Sequence, residues 1–327
     1  MPSCSRSSRR PRVRSSEGKT HVAFLTAEEV RRWSRTFRLI RNLTEFMGTL
    51  LALGIFRILP VDMASSLGGK IGRSLGPLLP VSQRARHNLK MAFPDKTAEE
   101  IAHIVDGMWE NFGRTAAEYP HLRRLRCYEA AGRVEVQGTE ILDRIEDSGE
   151  PHIFFSGHFA NLELEGTSVT GRNMPLTIVY RAANNPLVNY LLLQIRKHGI
   201  GAAFVPKGKT GARELIAALG EGRHVGLLVD QKMNDGISVP FFGRDAMTAP
   251  ALAQLALKSD RPVIPLQIER LEGASFRIII HPALEIQKTG DRESDVYNVM
   301  VQVNKTLESW IRQRPEQWFW LHNRWSD

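Results

Sequence analysis

From about residue 132 onward, short apolar stretches alternate along the chain with stretches of helical periodicity. Short apolar runs bounded by turn residues are typical of buried strands, whereas apolar residues repeating every three or four positions are typical of helices. The alternation predicts an α/β fold, a layered mixed sheet flanked by helices, with functional groups at the strand ends. The predicted strands are 133–137, 152–156, 176–180, 202–205, 224–229, 262–268 and 276–281. The predicted helices are 138–148, 160–170, 185–198, 209–220, 249–259 and 293–313.

The N-terminal residues differ in composition from the rest of the chain. Residues 1–25 are predicted to be a disordered basic tail, because arginines stand among serines there without an apolar block. The tail lacks the apolar core and the small-residue cleavage site of a secretory signal. Residues 26–61 are predicted to form a helical membrane-associated segment, and residues 62–327 to form the remaining domain.

The membrane segment contains an apolar block, residues 46–56, which carries no charge and is bracketed by Glu45 and Arg57. Crossing a bilayer takes about 20 apolar residues, so only an extension of the block to Val61 gives a marginal span. A spanning helix would keep its arginine-rich N-terminal side in the cytoplasm. Two alternatives remain: a helix lying in the membrane interface with its arginines toward anionic headgroups, and a helix buried in the protein.

Composition restricts the class of partner. The 327 residues carry a formal net charge of +9, and 42% of them are apolar. The apolar fraction is normal for a globular protein with a core, and the charge indicates an anionic partner: nucleic acid, an anionic bilayer or a phosphorylated substrate. Cys4 and Cys127 form neither a metal-binding pattern nor a disulfide framework.

His158 is the strongest candidate for a catalytic residue. It follows the apolar strand candidate 153–155 and precedes Glu163 by five positions. Residues five apart in one regular helix point about 140° away from each other. The two side chains therefore meet only if His158 lies in the turn before the helix and Glu163 in its first turns. The carboxylate then keeps one ring nitrogen protonated, and the other nitrogen accepts a proton near neutral pH.

Other interpretations of His158 stay open at this point. Glu165, seven positions away, is a rival carboxylate partner. A histidine at a strand end also often bonds only to the backbone. A zinc site is disfavoured, because the metalloprotease motif needs two histidines four residues apart and no second histidine follows closely. We therefore predict no metal at this position.

Charged residues stand at several other predicted strand and helix ends. Arg181 ends one strand candidate, Lys207 follows the next strand candidate, and Arg196 stands near the end of the helix between them. Any one of these cations is ordinarily solvated surface, but several near one strand end favour phosphate binding. Asp230 directly follows the strand candidate at 225–229 and is a further candidate for contact with substrate.

Six sequence blocks resemble a known family. Residues 157–163 resemble the His-x4-Asp/Glu motif of the glycerolipid acyltransferase superfamily, and residues 261–265 resemble its fourth block. His-x4-Glu alone is a weak signal, but blocks in the right order over residues 40–325 are specific. They resemble the late acyltransferases of lipid A biosynthesis, which transfer lauroyl or myristoyl chains. The other blocks that carry this resemblance are residues 88–94, 111–118, 229–231 with 241–243, and 315–325.

The resemblance implies an enzyme on the cytoplasmic face of the Gram-negative cell inner membrane. Such an enzyme moves a fatty acyl chain from acyl carrier protein, or from acyl-coenzyme A, to a hydroxyl of a lipid A precursor. Its expected partners are thus the acyl donor, a phosphorylated glycolipid acceptor and the anionic membrane. No cofactor and no metal is expected, and no nucleic acid, since the chain contains no recognised nucleic-acid motif.

The resemblance also implies roles for individual residues. His158 is the expected base and Glu163 the carboxylate that orients it, Arg196 corresponds to a family arginine, and Asp230 to the acidic position of the third block. Lys207 stands where the superfamily usually has an arginine. A lysine supplies charge without a planar fork, so bidentate phosphate binding is not expected there.

Three alternatives to this function remain from the sequence. The acceptor is another glycolipid, such as a phosphatidylinositol mannoside; the protein is a thioesterase-like hydrolase in which water replaces the hydroxyl; or it is a basic protein without enzymatic activity that binds nucleic acid or membrane. The last alternative predicts salt-sensitive binding that does not depend on His158.

Overall fold

The structure, a computed structural model, describes residues 27–128 and 132–325, with side chains from residue 36 onward. The predicted basic tail, residues 1–25, lies outside these ranges. The helices are α1 Ala27–Ile58, α2 Val61–Leu75, α3 Ser82–Ala92, α4 Ala98–Glu118, α5 Thr139–Ser148, α6 Glu165–Thr170, α7 Pro186–Ile200, α8 Lys209–Gly220, α9 Ala251–Ser259 and α10 Arg292–Gln313. The strands are β1 Val134–Gln137, β2 Ile153–Ser156, β3 Leu176–Tyr180, β4 Ala203–Pro206, β5 His224–Leu228, β6 Lys232–Phe241, β7 Arg244–Thr248, β8 Val263–Arg270 and β9 Phe276–Ile280.

A seven-stranded sheet organises the fold, in the order β1-β9-β8-β2-β5-β3-β4. All neighbouring strands are parallel except β8 and β9, which are antiparallel. The mixed α/β sheet predicted from the sequence is therefore confirmed, with a strand at each of the seven predicted positions. All four residues of β2 are buried, as expected for a central strand covered on both faces.

The pairing of β2 with β5 determines where the candidate site lies. Ser156 at the end of β2 is in register with Leu228 at the end of β5. Because the strands are parallel, the loops that follow them leave the same edge of the sheet. Residues shortly after each strand, His158 and Asp230 among them, are thereby brought together.

Two parts of the fold differ from the sequence prediction. The helix predicted from residue 160 begins as α6 at Glu165, after a short 3-10 turn at Leu162–Leu164. Ala160 has a φ of 40°, in the left-handed region, which a helix cannot contain. In addition, β6 and β7 form an antiparallel hairpin, which no apolar run in the sequence indicated.

Helix α1 is a single helix that includes both the basic stretch and the apolar block. Its segment Thr36–Ile58 is the one described helix long and apolar enough to cross a membrane, and its apolar window is not buried. This exposure is inconsistent with the buried-helix interpretation. Helix α1 is attached to the rest of the protein by hydrogen bonds, which include Asn185 Nδ2 to the Asn42 carbonyl at 2.8 Å and Arg57 to the Pro120 carbonyl at 3.1 Å.

Helices α2 and α4 pack at very short range. A Cβ added to Gly68 would lie 2.4 Å from the Gly113 carbonyl oxygen, and one added to Gly72 would lie 2.1 Å from the Trp109 carbonyl oxygen. Only glycine allows this approach of the two backbones. The close contact fixes α4, which is followed directly by Tyr119, against α2.

Candidate active site

His158 lies in the loop that follows β2, and the buried carboxylate of Asp230 holds it from one side. The His158 backbone N–H donates to Asp230 Oδ2 at 2.8 Å, and its ring Nδ1 lies 2.7 Å from Asp230 Oδ1. A Cβ at Gly157 would lie 3.1 Å from Asp230 Oδ2, which is tighter than most such contacts. Glycine at position 157 therefore leaves room for this carboxylate against the loop.

Asp230 is charged and is fully enclosed at the end of β5. Its Oδ2 also accepts a hydrogen bond from Trp318 Nε1 at 2.7 Å. Burial by itself raises the pKa of Asp230, but the charge of His158 and the hydrogen bonds from His158 and Trp318 outweigh burial, and the pKa lies well below its usual range. An ionised Asp230 keeps the proton of the imidazole on Nδ1, so that Nε2 carries the lone pair.

The other ring nitrogen of His158 faces Gln231 and His322. Gln231 Nε2 lies 2.9 Å from His158 Nε2 and 2.8 Å from His322 Nε2. Burial, followed by the charge of His158, lowers the pKa of His322 to about 4, so this ring is neutral near pH 7. The two N–H bonds of the Gln231 amide can be donated to the two Nε2 atoms when each carries a lone pair. The Gln231 amide thus occupies the position at His158 Nε2 that a substrate hydroxyl can take.

Among the described residues, no hydrogen bond or ion pair joins Glu163 to His158, so the predicted pairing of these two side chains is wrong. Glu163 lies in the 3-10 turn. Arg196 Nε donates to both carboxylate oxygens of Glu163 at 2.9 Å, and a terminal nitrogen of Arg196 donates to Oε1 as well. Tyr119 donates to the same Oε1 at 3.0 Å. The left-handed residue Ala160 and the 3-10 turn direct Glu163 toward α7. Within the described ranges, the carboxylate bonded to His158 is that of Asp230.

The partners of Glu163 and Glu165 determine their charge states. Burial lowers the pKa of Arg196, but the charge of Glu163 outweighs it and the pKa of Arg196 is raised, so the pair is ionic. Glu165, the rival partner from the sequence, instead accepts a hydrogen bond from Ser156 Oγ at 2.6 Å. Burial raises the pKa of Glu165 well above its usual value, which favours the neutral acid.

Two cavities meet at His158. The first has a volume of about 480 Å³ and is lined in part by Arg181, Arg196 and Lys207, the three basic residues singled out from the sequence. The second, of about 500 Å³, lies between α1 and α4 and is lined mostly by apolar side chains. Asp230 lines neither cavity, because it is enclosed behind the imidazole. Its predicted contact with substrate is therefore replaced by its contact with His158.

Sequence reasoning assigned no role to four side chains of this site: Tyr119, Gln231, Trp318 and His322. Gln231 directly follows Asp230, and Trp318 and His322 lie in the aromatic C-terminal block, so their blocks were noticed but not their contacts. Neither the spacing of these residues nor their type indicates that they meet at one imidazole. Within residues 27–128 and 132–325, no group of three or more His, Cys, Asp or Glu side chains is arranged to hold a metal ion.

The arrangement is suited to removing a proton from a bound substrate. A neutral imidazole, oriented through Nδ1 by a charged carboxylate, is a general base at Nε2 near neutral pH. The same carboxylate stabilises the imidazolium that forms. Because His158 lines both cavities, a group in either one can reach it.

Comparison with known proteins agrees with the family that the sequence blocks resemble. Residues 31–327 match the family model of the bacterial lipid A biosynthesis acyltransferases. The chain is 26% identical over 290 residues to the lipid A biosynthesis palmitoleoyltransferase of Escherichia coli (strain K12), which covers 84% of this chain and 90% of that protein. It is 24% identical over 300 residues to the myristoyltransferase of the same pathway and organism, covering 90% of each chain. The corresponding lauroyltransferase is 26% identical over 291 residues, covering 84% of this chain and 90% of that protein.

Proposed function

Because this chain belongs to the bacterial lipid A biosynthesis acyltransferases, we propose that it transfers a fatty acyl chain from an acyl thioester to a hydroxyl of a lipid A precursor, with His158 as the general base. One observation carries the assignment of the base. The imidazole of His158 is oriented at 2.7 Å by the ionised Asp230 and lines both cavities. Glu163, which the family motif places at the catalytic position, acts on the site through Arg196.

The chemistry follows from the orientation of the ring. An alcohol is essentially unionised at neutral pH and is a poor nucleophile. His158 Nε2 removes the hydroxyl proton as the oxygen attacks the thioester carbonyl, and Asp230 stabilises the resulting imidazolium. The new C–O bond forms, the C–S bond breaks, and the proton passes from Nε2 to the departing thiolate. Histidine and aspartate are then regenerated for the next turnover.

Binding of the acceptor requires a change of partner at Nε2. In the structure, Gln231 Nε2 lies within hydrogen-bond distance of His158 Nε2, at 2.9 Å. The acceptor hydroxyl takes the place of this N–H as the hydrogen-bond donor. Gln231 keeps its second partner, His322, at 2.8 Å during the exchange. The displaced bond is an ordinary side-chain hydrogen bond, and its net contribution is only about 1 kcal/mol, so the exchange costs little.

The positive charge around the first cavity supports the binding of phosphorylated ligands there. Arg181 and Lys207 line this cavity together with His158. We assign them to the phosphates of the glycolipid acceptor or of the thioester donor, which is acyl carrier protein or acyl-coenzyme A. Arg196 is already paired with Glu163, so its main role is to position that carboxylate rather than to bind phosphate.

The exposed surface of α1 and α2 supports an assignment to the cytoplasmic face of the inner membrane. Met63, Leu67, Ile71 and Leu75 recur every four residues along α2, and each is at least 42% exposed. Lys70 is exposed within the same helix. We define these four apolar residues as the α2 stripe. An exposed apolar stripe beside a basic residue, next to the apolar face of α1, is typical of a surface that meets an anionic bilayer.

The test is transfer by the purified protein from acyl carrier protein and from acyl-coenzyme A to a lipid A precursor, read by mass spectrometry of the glycolipid. We expect the wild type to add one acyl mass and His158→Ala to lose transfer while remaining folded. His198→Ala is the matched control, because His198 is an exposed histidine on α7 outside both cavities.

Parallel arms separate the alternatives. A phosphatidylinositol mannoside replaces the acceptor in one arm, and free fatty acid is measured in an arm without acceptor. Transfer only to the mannoside would reject lipid A as the acceptor, and release of fatty acid alone would identify a hydrolase. Full transfer by His158→Ala would reject the proposed base.

A further inference from the structure

Glu165 is a buried acid in the wall of the first cavity that the proposed reaction does not use. It begins α6, is 6% exposed, and lines the same cavity as His158. Its Oε1 accepts the Ser156 Oγ–H at 2.6 Å, and this is the only hydrogen bond of its carboxyl group to the described residues. A polar group placed in this way is costly in an apolar wall unless something satisfies it.

The wall around Glu165 is apolar and belongs to one face of the sheet. Phe154 is in register with Gly226, and Ile178 is in register with the same glycine, so their side chains share a face. Ser156, two residues after Phe154, lies on that face too. A Cβ at Gly226 would reach Ile178 at 3.4 Å, so the absence of a side chain there leaves room above the strands. The space suits a hydrocarbon chain, with Glu165 as its polar feature.

The second carboxyl oxygen of Glu165 accepts no hydrogen bond from the described residues. Glu165 is 6% exposed and lines the first cavity, so a ligand there is the available partner for this oxygen. Burial, with the nearby charges of Asp230 and Glu163, raises the pKa of Glu165 and favours the neutral acid. A neutral carboxyl group both donates and accepts a hydrogen bond, as a hydroxyl does.

We propose that Glu165 and Ser156 bind a hydroxyl on the acyl chain of the donor, so that this enzyme prefers hydroxyacyl thioesters to unsubstituted ones. The inference rests on the proposed function and adds the class of donor. The second cavity, walled by α1, suits an acceptor held in the bilayer, whereas the first extends over the sheet and suits the donor chain.

The position of the hydroxyl follows from the distance to the base. Ser156 precedes His158 by two residues, and both side chains line the first cavity. The hydroxyl therefore lies on one of the first carbons beyond the thioester carbonyl, the second or the third. An unsubstituted chain places methylenes against the carboxyl group and leaves its second oxygen unpaired. Sites built to bind a hydroxyl reject analogues that lack it, and we expect a preference of at least about tenfold.

The experiment is a competition between donors. Equimolar 2-hydroxyacyl, 3-hydroxyacyl and unsubstituted thioesters of equal chain length, on the same carrier protein, are offered to the full-length enzyme with a lipid A precursor. Mass spectrometry gives the product ratio. We expect the wild type to favour one hydroxyacyl donor at least about tenfold, Glu165→Leu to bring the ratio close to one, and Ser156→Ala to lower it. Glu165→Gln, which keeps its shape and hydrogen-bonding groups, should retain part of the preference.

Ser168→Ala is the matched control. Ser168 is a buried serine of the same helix. It donates a hydrogen bond to the Glu165 backbone carbonyl at 2.7 Å and does not line the cavity, so the product ratio of Ser168→Ala should equal that of the wild type. A wild-type ratio near one, or a preference that persists in Glu165→Leu, would overturn the inference while the proposed function stands. Absence of transfer from every donor would instead reject the proposed function.

Discussion

Asp230→Asn is the substitution that most directly tests how the imidazole is held. Asp230 Oδ2 accepts two hydrogen bonds, from the His158 backbone N–H at 2.8 Å and from Trp318 at 2.7 Å, while Oδ1 faces Nδ1 of His158 at 2.7 Å. An asparagine keeps the most bonds when its oxygen takes the Oδ2 position. Its NH₂ group then faces Nδ1.

That orientation places the imidazole proton on the wrong nitrogen. Nδ1 must accept from the new amide, so the ring proton moves to Nε2, where the substrate hydroxyl needs a lone pair. The negative charge that stabilised the imidazolium is also lost. Where aspartate orients a histidine base, the same substitution costs about 10⁴-fold in kcat. We expect a loss of about 10³- to 10⁴-fold, equivalent to about 4–5.5 kcal/mol at 1.36 kcal/mol per decade.

The assay is initial-rate acyl transfer to a lipid A precursor at saturating donor, with the folded state of each variant checked by thermal unfolding. Asp235→Asn is the matched control, because Asp235 is exposed on β6 and lines neither cavity. Its rate should equal that of the wild type. A rate for Asp230→Asn within about tenfold of wild type would refute the tautomer argument and return the orienting role to another group.

Three further predictions concern Glu163, acid stability and membrane binding. Glu163→Gln is expected to lower transfer by about tenfold, far less than Asp230→Asn, because it weakens a hydrogen-bonded ion pair with Arg196 and not the base itself; a loss equal to that of His158→Ala would contradict this ranking. Burial, with the charge of His152, lowers the pKa of His224 to about 4, and its Nδ1 accepts the His152 backbone N–H at 3.0 Å. In the unfolded chain a histidine has a pKa of about 6.5, so it takes up a proton at a higher pH than His224 does in the folded protein. The free energy of unfolding is therefore retained above that pH and falls by about 2 kcal/mol as the pH drops toward 4. His224→Gln should flatten this dependence of the free energy of unfolding on pH, measured by urea unfolding at several pH values. Replacing Leu67 and Ile71 of the α2 stripe by serine should weaken binding to anionic vesicles by about tenfold or more in sedimentation, whereas Ile216→Ser, an exposed control on α8, should not change it.

The strands of the main sheet were predictable because they are short apolar runs between turns. β2, for example, reads Ile-Phe-Phe-Ser and is buried at every position. The hairpin of β6 and β7 gave no such signal, since β6 carries Lys232, Asn234 and Asp235 and buries only Val239 and Phe241. A half-exposed ribbon is specified by its pairing and by the packing of a few aromatic residues, which a local pattern does not contain.

The candidate base was predictable, but its partner was not. His158 stands at a strand end, which the sequence indicates directly. Asp230 is 72 residues away, and only the parallel register of β2 and β5 brings it to the imidazole. The family motif instead placed a carboxylate five residues downstream, and the left-handed backbone at Ala160 turns that residue toward Arg196. A spacing rule measures distance along the chain and not the direction in which a loop leaves a strand.

Three carboxyl groups lie near one imidazole here, and their partners give them different charge states. Asp230 accepts three N–H donors, and its pKa is lowered. Glu163 faces the guanidinium of Arg196. Among the described residues, the carboxyl group of Glu165 accepts one serine hydroxyl, and burial raises its pKa well above the usual value. Environments that push the pKa values of neighbouring acids apart are how one site separates catalytic roles. An ionised acid can orient a base, and a paired acid can fix an arginine, but only a neutral acid can donate a hydrogen bond to a ligand. The difference between Asp230 and Glu165 therefore supports the proposed role of the first in the reaction and of the second in recognition of the acyl chain.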